Sequence, residues 1–501
     1  MTNPLASSLV RAAREHGDRP ALRLDDYVLD YRALDEASAR LADYLRRAGV
    51  EPGDRVGIML PNVPPFAIIY YGTLRAGGVV VPMNPLLKAR EVAYYLGDSE
   101  ATILFAWHQF ADDAEQGAKM ADVNVVIVEP DSFADLFVGT IPDPRVDERA
   151  PDDTAVLLYT SGTTGKPKGA ELTQDNLARN ADVTVRTLLH LGPEDVVLGA
   201  LPLFHSFGQT CGLNSAIAVA ACLTLLPRFD PGKALGIIAR DRVTVFEGVP
   251  TMYAAMLNFP QRDAYDVSSL RVCISGGAAL PVEVMRAFEQ AFDATILEGY
   301  GLSETSPVAS FNHPDCERRA GSIGTPIEGV EMRLVALDGS DVPRGEVGEI
   351  AIRGHNVMKG YWAQPEGTAA AIPDGWFRSG DLARQDEEGY YYIVDRKKDM
   401  IIRGGYNVYP REIEEILYEH PDVTEAAVVG IEHPALGEEV GAAVALRPGS
   451  MTTVDELREH VKNQVANYKY PRHVWLVEAL PKGPTGKIQK REIVPPAEVT
   501  S

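Results

Sequence analysis

Residues 159–169 read YTSGTTGKPKG, and this run restricts the chain more than any other stretch. It follows the β-rich apolar segment 155–160. Gly162, Gly165 and Gly169 let the backbone come close to a ligand and take up unusual dihedrals. Thr160, Ser161, Thr163 and Thr164 add hydroxyl donors, and Lys166 and Lys168 add positive charge. A loop of this kind leaving a strand can wrap a polyphosphate with N–H groups and hydroxyls. It is not a Walker A loop, because Pro167 follows Lys166 where Ser or Thr is required. A dinucleotide fingerprint begins at Gly299 and Gly301, but Glu304 stands in the place of its third glycine.

The rest of the chain supplies the frame for such a loop. Short apolar runs at 55–60, 78–82, 102–106, 124–128, 155–160 and 271–275 read as strands, with a helical stretch at 66–75. A Gly-rich turn after 271–275 leads into a helix expected to begin at Pro281, where a missing N–H costs nothing. Strand, loop and helix in succession imply an α/β fold with parallel sheets, whose ligands sit at the carboxyl ends of the strands. The pattern changes near residue 395, where DRKKDMIIRGG is followed by helices at 410–420 and 454–465 and strands at 425–431, 441–446 and 473–477. The expected organisation is a large, multi-subdomain N-terminal domain over 1–394, a hinge at 395–398, and a small mobile α+β domain over 399–501.

Composition excludes several function classes. A net charge of −23 argues against nucleic acid and against anionic membrane surfaces, both of which need clustered Lys and Arg. The four cysteines form no CxxC pair, so neither a disulfide framework nor a zinc site is expected. Arg11, Arg14 and Glu15 interrupt any signal-like apolar run, and the apolar stretch 217–226 is too short to span a bilayer. A cytoplasmic setting is the expectation.

The loop, together with EGYGLSET at 298–305, WFRSGD at 376–381, DRKKD at 395–399 and PKGPTGKIQK at 481–490, resembles the acyl-adenylate-forming superfamily. That group includes acyl-CoA synthetases, aryl-CoA ligases, peptide-synthetase adenylation domains and luciferases, and the likeness covers nearly the whole chain. It implies a nucleotide site. Thr160 to Gly165 and Lys168 would face the β- and γ-phosphates of ATP. Glu298, Gly299, Tyr300, Gly301 and Ser303 would form the adenine wall, with Gly276 and Gly277 beside it. Glu304 would bind Mg²⁺ through a hard carboxylate oxygen. Asp381 would accept the ribose hydroxyls, with Arg396 as its partner across the hinge. Lys487 resembles the family's catalytic lysine, an ammonium that offsets the meeting of two anions when a carboxylate attacks the α-phosphorus. Lys398 resembles the pivot about which the small domain turns for thiol transfer. Gly404 and Gly405 would then line the pantetheine channel, with Arg228, Lys469 and Arg472 as candidate contacts for the coenzyme A phosphates.

The acid itself is less legible. His205, in LPLFHSFG at 201–208, matches a family position beside the carboxylate. Phe207, Cys211, Val249, Gly277 and Val308 are expected to line an apolar pocket. No basic residue stands out there, which ranks a dicarboxylate low. The reading leans to a medium- or long-chain fatty acid, with an aryl acid as the alternative. Coenzyme A is favoured over a carrier protein as acceptor, because no insertion of the acyl-AMP ligase kind precedes the hinge and no carrier domain follows Ser501. Intact Glu304, Asp381, Arg396 and Lys487 speak against a silent nucleotide-binding protein. A luciferase-type oxidation would share the adenylate but has no motif of its own here.

Overall fold

The computed structural model describes residues 4–160, 166–336, 338–397, 399–434, 436–483 and 486–496. Counted over those residues, a nine-stranded and a seven-stranded sheet carry the large domain. In the nine-stranded sheet the strands Thr295–Gly301, Val272–Ser275, Val245–Gly248, Val196–Gly199, Cys222–Leu225 and Pro20–Leu24 run parallel in that order. Antiparallel strands close both edges. The seven-stranded sheet has a parallel centre of Thr154–Thr160, Val79–Pro82, Arg55–Met59, Ala101–Trp107 and Asn124–Val128. The helix Pro64–Arg75 is buried over nearly its whole surface, as expected of a sequence apolar all round (PPFAIIYYGTLR).

The Gly-rich loop, whose exit the sequence left open, joins the two strands of a hairpin: Thr154–Thr160 pairs antiparallel with Lys168–Thr173. One helix start departs from the sequence reading. The helix after the 271–275 strand spans Val282–Phe292, with Pro281 one residue earlier, as its extended N-cap.

A four-stranded antiparallel sheet, Val330–Val335, Gly348–Gly354, Phe377–Gln385 and Tyr391–Arg396, ends at Arg396. The next sheet begins at Ile401–Arg403 and pairs with Tyr406–Val408, Gly437–Leu446, Val423–His433 and His473–Val477. Helices Pro410–Tyr418 and Val454–Lys462 cover it. Ile401, Val408, Ile413, Leu417, Val428, Val440, Leu457 and Val461 give this C-terminal part a hydrophobic core of its own.

The two parts meet through specific bonds. Arg411 donates from its backbone N–H to Asp395 Oδ2 (3.1 Å) and from its guanidinium to the Ile393 carbonyl (2.9 Å). Thr251 Oγ1 donates to the Gly486 carbonyl at 2.9 Å, which seats the C-terminal hairpin on the large domain. Burial pushes the Asp395 carboxyl up to about 6, against the pull of nearby Lys490.

Candidate functional site

Four chain segments meet beyond the carboxyl ends of strands Thr154–Thr160 and Thr295–Gly301. The first is Thr160, the last residue of its strand. The base of its hairpin is held firmly: Tyr159 donates to Asp98 Oδ2 (2.6 Å), and the Trp362 indole N–H donates to the Asp98 carbonyl (3.0 Å). Ser161, Gly162, Thr163, Thr164 and Gly165 lie outside the described residues. Lys168 sits over the Tyr361 ring, 5.1 Å from its centre.

The second segment is Glu304, on the single turn Ser303–Thr305 that follows strand Thr295–Gly301. Asn180 fixes what comes after it, bonding both the N–H and the carbonyl of Val308. The Glu304 carboxylate accepts the Thr160 hydroxyl at 3.2 Å and the Tyr361 hydroxyl at 3.0 Å, both on Oε1. Burial holds this carboxyl above its usual range, and the hydroxyl donors pull it only part of the way back. A half-buried carboxylate that faces two hydroxyls offers the hard oxygen a divalent cation takes alongside substrate oxygens. Gly301 is required by packing, since a Cβ there would collide with the Pro307 carbonyl.

The third segment brings Asp381 and Arg396 together. Their strands pair antiparallel with the two residues directly opposite, which places the side chains side by side. Arg396 Nε lies 3.3 Å from Asp381 Oδ1, and the Tyr300 hydroxyl donates to Oδ2 at 2.7 Å. Tyr300 thus links the nine-stranded sheet to the four-stranded one, and burial raises its phenol well above the usual range.

The fourth is Lys487, carried by a hairpin in which Gly483 N–H donates to its carbonyl at 2.8 Å and Lys482 bridges to Ile488. His205 lies close to it. Burial, and then the Lys487 ammonium, lower the imidazole to about 4, so it is neutral at pH 7.

Some expected residues sit differently. Glu298 turns inward: Oε1 accepts the Leu280 N–H (3.0 Å), Oε2 is buried without a hydrogen-bond partner, and burial lifts the carboxyl to about 7. Gly277 takes a left-handed backbone (φ +78°), and a Cβ there would meet Val249 at 3.5 Å. Phe207, Cys211, Val249 and Val308 are all buried. Phe207 and Cys211 flank and enter the π-helical turn Gly208–Asn214. Gly404 and Gly405 form the left-handed turn between Ile401–Arg403 and Tyr406–Val408. Lys469 is bonded to Glu412 (2.7 Å), Arg472 stacks on Tyr470 (3.7 Å), and Arg228 is exposed. Lys398 lies outside the described residues. Sequence reading missed Tyr361, which lies 57 residues from Glu304, and Thr251; neither has a signature apart from the fold.

Comparison with known proteins agrees with this geometry. The family model described as AMP-binding enzyme matches residues 9–362, and the AMP-binding enzyme C-terminal domain matches 412–487. The chain is 37% identical to the long-chain-fatty-acid–CoA ligase of Bacillus subtilis, over 98% of this chain and 94% of that one. It is 39% identical to a feruloyl-CoA synthase of an Amycolatopsis species, over 98% of both. The solved structure of ATP-bound MatB from Rhodopseudomonas palustris superposes with a TM-score of 0.90 at 34% identity, covering 98% of each chain. The chain therefore belongs to the AMP-binding enzyme family and is an AMP-forming acid–thiol ligase, an acyl-CoA synthetase that uses ATP and coenzyme A.

Proposed function

We propose that this enzyme adenylates a monocarboxylic acid at the junction of Thr160, Glu304, Asp381 and Lys487, and then turns its C-terminal domain about residues 395–398 to pass the acyl group to coenzyme A. The observation that carries this reading is the seating of the Lys487 hairpin on Thr251, beside neutral His205. An ammonium there offsets the repulsion between the incoming carboxylate and the triphosphate, and the charge that develops on pyrophosphate, a contribution worth roughly 3–4 kcal/mol. His205, uncharged, can orient the carboxylate by a hydrogen bond without competing for its charge. Asp381, already accepting one hydroxyl from Tyr300, has the acceptor capacity for ribose hydroxyls. Glu304 would hold Mg²⁺ together with triphosphate oxygens; bound there, the ion would neutralise phosphate charge.

In the second half-reaction the Gly404–Gly405 turn would replace Lys487 at the site, with Arg228, Lys469 and Arg472 available to the coenzyme A phosphates. A cytoplasmic enzyme fits this use of ATP and coenzyme A.

For the acid, the B. subtilis relative supports a medium- or long-chain fatty acid. One structural observation, the buried carboxyl of Glu247 described below, favours the aryl-acid reading that the Amycolatopsis relative also supports. ATP–pyrophosphate exchange tests the core proposal. Exchange should require an added carboxylic acid and proceed without coenzyme A; exchange that needs coenzyme A would refute a free-standing adenylation step.

A further inference from the structure

Glu247 lies in the centre of the large domain, 1% exposed, on strand Val245–Gly248. Its Oε1 is buried with no hydrogen-bond partner. A carboxyl without partners inside a protein is costly, of order 1–3 kcal/mol or more, so its retention needs a reason. Nothing in the packing of the strand supplies one: Val245 and Phe246 are ordinary core residues.

Its position supplies the reason. Val249 follows the strand as the extended N-cap of the next helix, and side chains two apart on extended backbone share a face, so Glu247 points to the same side as Val249. Val249 meets Gly277 and the Gly486 backbone next to Lys487. Glu247 is therefore set back from Val249 by about 7 Å along the same face. The opposite wall agrees. Phe207 packs against Gly276 at the mouth, and one turn further on Gly212 leaves space for Glu247, its Cβ position being 3.2 Å from Oε2. The Cys211 thiol sits between Glu247 and Thr184. The hydroxyls of Thr184 and Thr210 are buried and also lack partners. Both threonines belong to the π-helical turns Thr184–Leu189 and Gly208–Asn214, a helical irregularity frequent at binding sites.

We propose that Glu247, with Thr184 and Thr210, forms a polar end to the acid pocket, which takes a carboxylic acid bearing a hydroxyl at its far end, a ring and a short spacer away from the carboxylate. This rests on the adenylation reading above and narrows its substrate class. A plain alkyl chain would leave the carboxyl and both hydroxyls unpaired. A phenolic or other distal hydroxyl would pair with them, and sites built to bond a hydroxyl discriminate strongly against analogues that lack it.

The test compares kcat/KM for 4-hydroxycinnamic and cinnamic acid, with decanoic acid as a chain probe, using the full-length enzyme. The wild type should favour the hydroxylated acid over cinnamic acid by at least about tenfold. Glu247→Leu should bring that ratio to within about twofold of one, with the change appearing in the acid's KM. A wild-type ratio at or below one, a ratio unmoved in Glu247→Leu, or activation of decanoic acid alone would overturn the proposal. If the leucine variant does not fold, a wild-type crystal soaked with 4-hydroxycinnamic acid decides. The hydroxyl is expected within hydrogen-bond distance of Glu247, and a hydroxyl bonded elsewhere overturns the assignment. If no acid supports pyrophosphate exchange, it is the adenylation reading that fails.

Discussion

The two sides of the site are built on opposite principles. On the nucleotide side Glu304 and Asp381 have partners: Glu304 holds Thr160 and Tyr361, and Asp381 holds Tyr300 and Arg396. On the proposed acid side Glu247, Thr184 and Thr210 are buried with unmet hydrogen-bonding capacity. A site that always receives the same nucleotide can be held together by its own bonds. A site that selects among acids gains specificity by leaving groups for the right acid to satisfy.

This contrast can be broken most forcefully at Lys487. Lys487→Ala should lower acyl-AMP formation by about a hundredfold or more, and by the same factor for every acid accepted, because the ammonium serves phosphate chemistry common to all of them. Pyrophosphate exchange with two unlike acids checks this; a loss confined to one acid would merge the two sides. Next in size is Gly301→Ala, which forces a methyl group against the Pro307 carbonyl and should cost about 1–3 kcal/mol of stability. Thermal denaturation would reveal it, and an unchanged melting temperature would mean that the strand end can relax.

A smaller and more selective effect is expected at the hinge. Lys398→Pro should slow thioester formation about tenfold while sparing adenylation, as restriction of a pivot implies. Single-turnover measurement of each half-step decides, and equal loss in both would remove residues 395–398 from the domain motion.

The smallest effect concerns Glu298, whose folded pKa of about 7 lies above the ordinary carboxylate value. A raised carboxyl contributes stability at low pH, and that contribution is lost as pH rises through about 7. Glu298→Gln should therefore flatten the decline in stability between about pH 5 and 8. Denaturant titrations at both ends of that range would show it, and parallel curves for the two proteins would contradict it.

The same contrast explains what could be read from the sequence. The glycine-rich loop, the Tyr300–Glu304 run, Asp381 and Lys487 are each embedded in several neighbours of distinctive chemistry, so short windows identify them. Strands such as Arg55–Met59 and Val79–Pro82 were legible because buried parallel strands are continuous apolar runs. The hairpin after Thr160 was not, because the loop's composition says nothing about whether a strand or a helix follows it. Tyr361 and Thr251 reach the site through long-range packing alone. Glu247 was invisible for a different reason: one acid in VTVFEGVP does not disturb the apolar pattern, and its isolation exists only once Gly212, Cys211 and Val249 surround it.

The central claim is that one adenylate spans both sides, its phosphate among self-satisfied groups and its acyl end at an unsatisfied carboxyl. A crystal structure with the sulfamoyl analogue of 4-hydroxycinnamoyl-AMP tests it most directly. The account predicts ribose hydroxyls on Asp381, the sulfamoyl group between Thr160 and Lys487, and the phenol on Glu247. An analogue bound with its acyl group directed away from Glu247, or with Asp381 and Lys487 on different ligands, would contradict it.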